Sequence, residues 1–322
     1  MLYLLYLPVL TFLLLLYFRF AVKLKIIDMP NQRSSHSRFT VRGGGIIFPV
    51  AILLQFLIGG FDYPMFISGL LLIGMVSFYD DLRPLSSRIR LLVHLAAVSV
   101  LFMQVGLMTQ SLLIIGLAYI LVIGTINAYN FMDGINGITG SYSLITVLTL
   151  YFINETITPF VFSEWLIVTI MAVLVFIFFN FRKRAKCFAG DVGSVSMAFI
   201  IIFFILLLIL KSADIKYIAL LLLYGLDTVT TIIFRLIRRE NIFEAHRSHL
   251  YQYLVNVKKW QHISVAMLYA LIQLIINCLL LTFSFHLIEF LILLFFAGLV
   301  FVALRFNSEG KSYLLNRKTE SQ

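Results

Sequence analysis

Apolar runs of bilayer-spanning length recur from one end of this chain to the other, and that recurrence limits the fold more than any motif does. A helix needs roughly 20 apolar residues to cross a membrane. Eleven such stretches can be marked, near residues 2–22, 43–59, 62–79, 91–106, 109–126, 138–153, 163–180, 194–210, 218–234, 263–283 and 287–304. Short polar breaks such as GFDYP (60–64) and INETITP (153–159) read as turns between them. With 61% hydrophobic residues, 12% charged residues and a mean hydropathy of +1.01, an ordinary soluble domain is excluded. The expectation is an all-α integral membrane protein of about eleven spans, with one polytopic domain over 1–304 and a cytoplasmic tail over 305–322. The first run is followed by a charged segment without an A-x-A site, so it reads as a retained span and not a signal peptide. Cys187 and Cys278 lie far apart without metal-type spacing and read as inert thiols.

Charge gives the orientation. Of the 25 Lys and Arg, all but Arg19, Lys211 and Lys216 fall after odd-numbered spans or in the tail. The positive-inside rule then puts the N-terminus outside and the C-terminus in the cytoplasm. The net charge of +10 is mostly a cytoplasmic collar facing membrane lipid, and it carries no implication of nucleic acid.

Every polar cluster with chemical character lies on that cytoplasmic side: DMPNQRSSHSRFTVRGGG (28–45), YDDLRPLSSRIR (79–90), NAYNFMDGINGITG (127–140), FRKRAKCFAGDVGS (181–194) and RRENIFEAHRSHLYQ (238–252). Ionisable residues at a membrane boundary suggest function. In the third cluster Asn127, Asn130, Asp133 and Asn136 recur every three residues among glycines, which suits either a ligand's approach or a self-capped helix junction. Asp191 sits between Gly190 and Gly193, as a ligand or as part of a plain helix start. Gly43-Gly44-Gly45, flanked by Arg42 and His36, offers backbone N–H groups to an anion. Together, Asp80, Asp81, Asp133, Asp191 and Asn130 are hard oxygen ligands suited to Mg²⁺. Arg42, Arg90, Arg247, His246 and His249 are donors suited to diphosphate. Phosphoryl-type transfer from a soluble nucleotide to a lipid follows as the expectation.

At these clusters the chain resembles the polyprenyl-phosphate N-acetylhexosamine-1-phosphate transferases. The likeness is carried by RSSH…T.RGGG (33–45), the YDD pair, NxxNFMDGING (127–137), FAGDVGS (188–194) and HRSHLYQ (246–252), in the family's order. The resemblance implies that a UDP-N-acetylhexosamine and undecaprenyl phosphate give a lipid-diphosphate sugar and UMP, with Mg²⁺ or Mn²⁺, in a bacterial inner membrane. It implies Asp191 and Asn130 as metal ligands and Asp80 and Asp81 as the catalytic acidic pair. Asp133 and Asn136 lie around the nucleotide, and Phe188 stacks on uracil. Arg42 and Arg90 fall at basic positions near the diphosphate, and His246, Arg247 and His249 in the loop that reads sugar and diphosphate. A homodimer is also the family's habit.

Three departures stand out. Phe39-Thr40-Val41 replaces a proline-bearing stretch, Asn136 replaces a usual aspartate, and His249-Leu250-Tyr251-Gln252 replaces a histidine-rich run. The last looks like the O-antigen-initiating subgroup, which uses UDP-GlcNAc or deoxy sugars such as UDP-FucNAc and UDP-QuiNAc. Asp80 or Asp81 acts either as a base toward the lipid phosphate or by orienting metal-bound water. His94, one turn past Arg90, is a candidate for the lipid phosphate or a satisfied core histidine. The rival class is a transporter or flippase of lipid-linked sugars. Transporters gather ionisable residues at the midplane, whereas these spans look almost free of charge.

Overall fold

The computed structural model describes residues 2–28, 40–242, 244 and 246–316. Each of the eleven apolar stretches holds a helix. In chain order they are α1 (Tyr6–Lys23), α2 (Ile47–Ile58), α3 (Pro64–Leu82), α4 (Ser87–Gln104), α5 (Leu112–Met132), α6 (Ile138–Thr156), α7 (Ser163–Asn180), α8 (Gly190–Ser212) and α9 (Leu222–Ile237). After the short α10 (Leu250–Asn256) come α11 (His262–Thr282), α12 (Leu287–Glu309) and the five-residue α13 (Lys311–Leu315). Among the described residues nine helices are long and apolar enough to cross a membrane, two fewer than the eleven expected spans. The shortfall has two causes. α2 has 12 residues, and α6 is diluted by Thr139, Ser143, Thr146, Thr149 and Asn154, all of which turn inward.

Local chemistry sets several boundaries. Pro64 opens α3, where its missing N–H costs nothing. Ser86 and Ser111 precede α4 and α5, and their hydroxyls accept the N–H of Ile89 and Ile114 at 3.4 Å. The two-residue strands Ile27–Asp28 and Thr40–Val41 pair antiparallel at the start of the first cytoplasmic cluster's return. His36 and the remainder of that cluster, residues 29–39, lie outside the described residues.

α8 is the axis of the bundle: 83% of its apolar window is buried, against 11% for α12. A helix hydrophobic all round belongs at the centre, and α8 packs on α2, α3, α5 and α6. Phe66 of α3 stacks on Phe203 of α8 with ring centroids 3.9 Å apart. α12 presents Ile288, Phe295 and Phe296 outward, as a lipid-facing helix should. Backbone groups at bilayer depth must find partners inside the protein. Gln273 of α11 supplies them where the 3₁₀ turn Ile215–Leu221 passes into α9: it accepts Leu223 N–H at 3.1 Å and donates to Ala219 O at 2.9 Å. The expected tail over 305–322 begins inside a helix, because α12 runs on to Glu309 and buries Arg305.

Candidate active site

Two carboxylates end α3, and the fold gives them different partners. Asp81 reaches across to the first turn of α8, where its oxygens accept the N–H groups of Asp191 and Val192, each at 3.0 Å. Helix N-termini leave such N–H groups without intrahelical acceptors, so a residue 110 positions away caps this helix. Arg42 completes the contact, Nε donating to Asp81 Oδ1 at 2.7 Å. Asp80 turns the other way. It accepts Leu85 N–H at the start of the following loop, and Arg90 Nη1 lies 3.3 Å from its Oδ2. The side chain of Asp81 is fully buried, while those of Arg42 and Arg90 remain 40% exposed. His94 is buried one turn deeper.

The close approach of α8 depends on glycine. A Cβ on Gly193 would stand 2.6 Å from Gly45 Cα, and one on Gly190, whose φ is +71°, 2.6 Å from Asp81 Oδ2. This packing also revises the expectation for the Gly43–Gly45 run. Gly44 N–H donates to Phe188 O at 2.8 Å and Gly45 N–H to Ala189 O at 3.0 Å. Those donors are consumed in joining two loops and are not offered to an anion.

The third cluster meets α8 from the other side. Ser194, one turn along from Asp191, donates to Asn130 Oδ1 at 3.3 Å, which sets Asn130 against the first turn of α8. Asp133 ends α5 and accepts the Thr139 hydroxyl at 2.6 Å. Its pKa is pushed up to about 8, first by burial and then by the charges of Asp191 and Asp81, against the pull of Thr139 and Arg42. The Asp191 carboxyl lies near those of Asp80 and Asp81 and feels their charge. Four carboxylates thus converge. Among the described residues Asp80 and Asp81 each make an ion pair with an arginine, whereas Asp133 and Asp191 feel Arg42 only at longer range.

Other expected residues are placed as follows. Asn136 is 5% exposed, and its Nδ2 donates to Arg182 O at 2.9 Å and Lys183 O at 3.4 Å. It therefore ties down the loop after α7, a task an aspartate in its place lacks the N–H to perform. Phe188 is half-buried, with its N–H on Val41 O at 2.8 Å. In the last loop Arg247 is exposed and His246 half-buried, 6.0 Å ring to ring from Phe131. His249 is buried, with Nδ1 3.4 Å from Asp227 and its ring 5.0 Å from that of His246.

Two residues that sequence reasoning passed over help to assemble the site. Asn180 accepts Gly137 N–H and donates to Cys187 O, both at 2.8 Å, fastening the third cluster to the fourth. Asp227 lies fully buried within α9. Its signal was present, since a lone aspartate inside an apolar run is unusual, but the surrounding hydropathy masked it.

Asp191 at the start of α8, and Asp133 and the Asn130 amide at the end of α5, are oxygen donors of the kind a divalent cation takes. Among the described residues no three or more His, Cys, Asp or Glu side chains are grouped so that they could hold a metal ion. Substrate oxygens or water would have to fill the remaining positions.

The model for glycosyl transferase family 4 matches residues 63–209, which include Asp80, Asp81, Asn130, Asp133 and Asp191. The chain is 26% identical over 271 residues to a probable undecaprenyl-phosphate N-acetylglucosaminyl 1-phosphate transferase of Bacillus subtilis, covering 78% of this chain and 75% of that protein. It is 30% identical over 210 residues to the undecaprenyl-phosphate α-N-acetylglucosaminyl 1-phosphate transferase of Escherichia coli and 28% over 206 residues to that of Yersinia pestis. Those two alignments cover 58% of this chain and 56% of each relative.

Proposed function

We propose that the chain, which is similar to undecaprenyl-phosphate N-acetylglucosaminyl 1-phosphate transferases, moves a HexNAc-1-phosphate from a UDP-sugar to undecaprenyl phosphate at the cytoplasmic face of a bacterial inner membrane, releasing UMP. The observation that carries this reading is the convergence of Asp80, Asp81, Asp133 and Asp191 with Asn130 at one end of the bundle, beside Arg42 and Arg90. Acidic residues crowding an interface suit an enzyme that joins a soluble nucleotide to a lipid better than they suit a transporter's midplane site. The sugar is GlcNAc or a deoxy-HexNAc such as FucNAc or QuiNAc, and the product starts a surface glycan such as O-antigen.

Asp191 and Asn130, with Asp133 beside them, would hold Mg²⁺, or Mn²⁺ in its place. The ion would offset the charge of the diphosphate and of departing UMP. Arg42 and Arg90 sit beside buried carboxylates with side chains 40% exposed, and guanidinium groups of this kind suit phosphate oxygens. The acceptor is a phosphomonoester whose second pKa lies near ~6, so it is mostly dianionic at neutral pH and asks little of a base. Asp80 is the better placed of the pair for that duty, since Asp81 is occupied in capping α8.

The test is direct. Purified protein is given labelled UDP-GlcNAc, undecaprenyl phosphate and Mg²⁺, and then a panel of other UDP-sugars. Labelled lipid with stoichiometric UMP is the expected result. Lipid-linked sugar translocated without UMP release would replace this reading with the transporter.

A further inference from the structure

The loop carrying His246 and Arg247 has no long element of its own, yet its far end is held at several points. Asp227, 0% exposed on α9, accepts Leu250 N–H at 3.0 Å and Tyr251 N–H at 3.4 Å, capping α10 from a neighbouring helix. The same carboxylate accepts the Tyr269 hydroxyl of α11 at 2.6 Å. Arg305 on α12, 1% exposed, donates from Nη2 to Ser248 O at 2.7 Å and from Nη1 to Thr231 Oγ1 at 2.8 Å. Glu309, one turn on, fixes the other edge of the guanidinium. From this node the loop runs to Tyr251, whose hydroxyl donates to Phe131 O at 2.8 Å, beside Asn130. The contact is so close that a Cβ on Gly134 would meet that hydroxyl.

Buried ion pairs add little net stability, and apolar replacements are often tolerated. A guanidinium sunk at the end of an otherwise lipid-facing helix therefore calls for another explanation. We propose that Arg305 is a positioning residue for transfer: by fixing the Ser248 carbonyl beside the Asp227 cap, it sets the height and direction at which His246 and Arg247 meet the diphosphate-sugar. The last span thereby takes part in substrate recognition without touching substrate. This inference rests on the function proposed above.

Full-length protein in nanodiscs supplies the test. Arg305→Met keeps bulk and removes the donors, and Arg305→Lys keeps the charge but reaches fewer acceptors. With Arg305→Met, KM for the UDP-sugar rises tenfold or more while UMP affinity, which does not depend on the sugar-reading loop, stays within twofold. Arg305→Lys recovers part of the loss. In a Cys278→Ser background, the thiol of Arg247→Cys reacts several-fold faster when Arg305→Met is added. Unchanged KM together with an unchanged labelling rate overturns the proposal. So does an equal loss of UMP and UDP-sugar affinity, which marks a merely structural role. If Arg305→Met fails to fold, Arg305→Lys carries the same comparison. Failure of the parent chain to bind any UDP-sugar would instead sink the proposed function, and the labelling rates would still report whether Arg305 holds the loop.

Discussion

Asp80 and Asp81 are adjacent in sequence and opposite in duty, and substitution should separate them from each other and from Asp191. Asp191→Ala is expected to reduce turnover below about one-thousandth, because it removes the oxygen donor on which charge compensation depends. Asp80→Asn should keep UMP affinity and lose about 10²-fold in kcat, since it forfeits the base and the Arg90 partner. Full rates from both variants would remove these residues from the chemistry. Asp133 makes the site pH-dependent. Its folded-state pKa of about 8 lies above the ordinary 3.8, so the folded chain keeps a proton that the unfolded chain releases. Stability from this group is therefore complete below about pH 4 and is lost as pH rises toward 8. The Mg²⁺ proposed above would have to displace that proton, and would stabilise the fold most where the carboxylate is already ionised. The Mg²⁺-induced rise in Tm should thus be larger at pH 9 than at pH 6, and Asp133→Asn should flatten the difference. Polar clusters are conspicuous in so oily a chain, which made these carboxylates legible. Which of them caps a helix depends on contacts more than a hundred residues apart, and no local pattern encodes that. His249 shows the same limit: beside the exposed Arg247 it reads as a substrate ligand, yet it turns to Asp227.

At the level of elements, the helices were legible because hydropathy marks them, while the broken backbone between them was not. The passage from the 3₁₀ turn into α9 depends on Gln273 from a different span, which no pattern around residue 221 foretells. The junction of Gly43–Gly45 with Gly190–Gly193 reads in sequence as a phosphate cradle and is in fact backbone packed on backbone. Gly193→Ala should therefore act through distance. Its Cβ would drive the Gly45 segment from α8, with a cost of about 1–3 kcal/mol and a loss of activity from the displaced Asp81 cap. Gly225→Ala on α9, where a Cβ meets no atom within 4 Å, should change neither. Thermal unfolding and turnover of the two variants check this directly.

For the whole molecule, orientation is the largest quantity that sequence offers and packing leaves open. Charge bias predicts that Lys258 and Lys259 face the cytoplasm and Asp62 the opposite side. In cells, a thiol introduced by Asp62→Cys should react with a membrane-impermeant reagent added outside, and one introduced by Lys259→Cys only after the membrane is opened. The reverse pattern would invert the topology. Of the cations counted for that prediction, Arg235 and Arg238 are buried against Glu240 and so belong to the interior, not to the collar.

The two caps supplied from a distance share an order. Asp81 is made before the amides of 191 and 192 that it receives, and Asp227 before those of 250 and 251. As the nascent chain leaves the ribosome, each acceptor is already lodged in the membrane when the helix start that needs it arrives. Those two helix starts need not wait for an acceptor still to be synthesised, whereas Leu223 N–H must wait for Gln273.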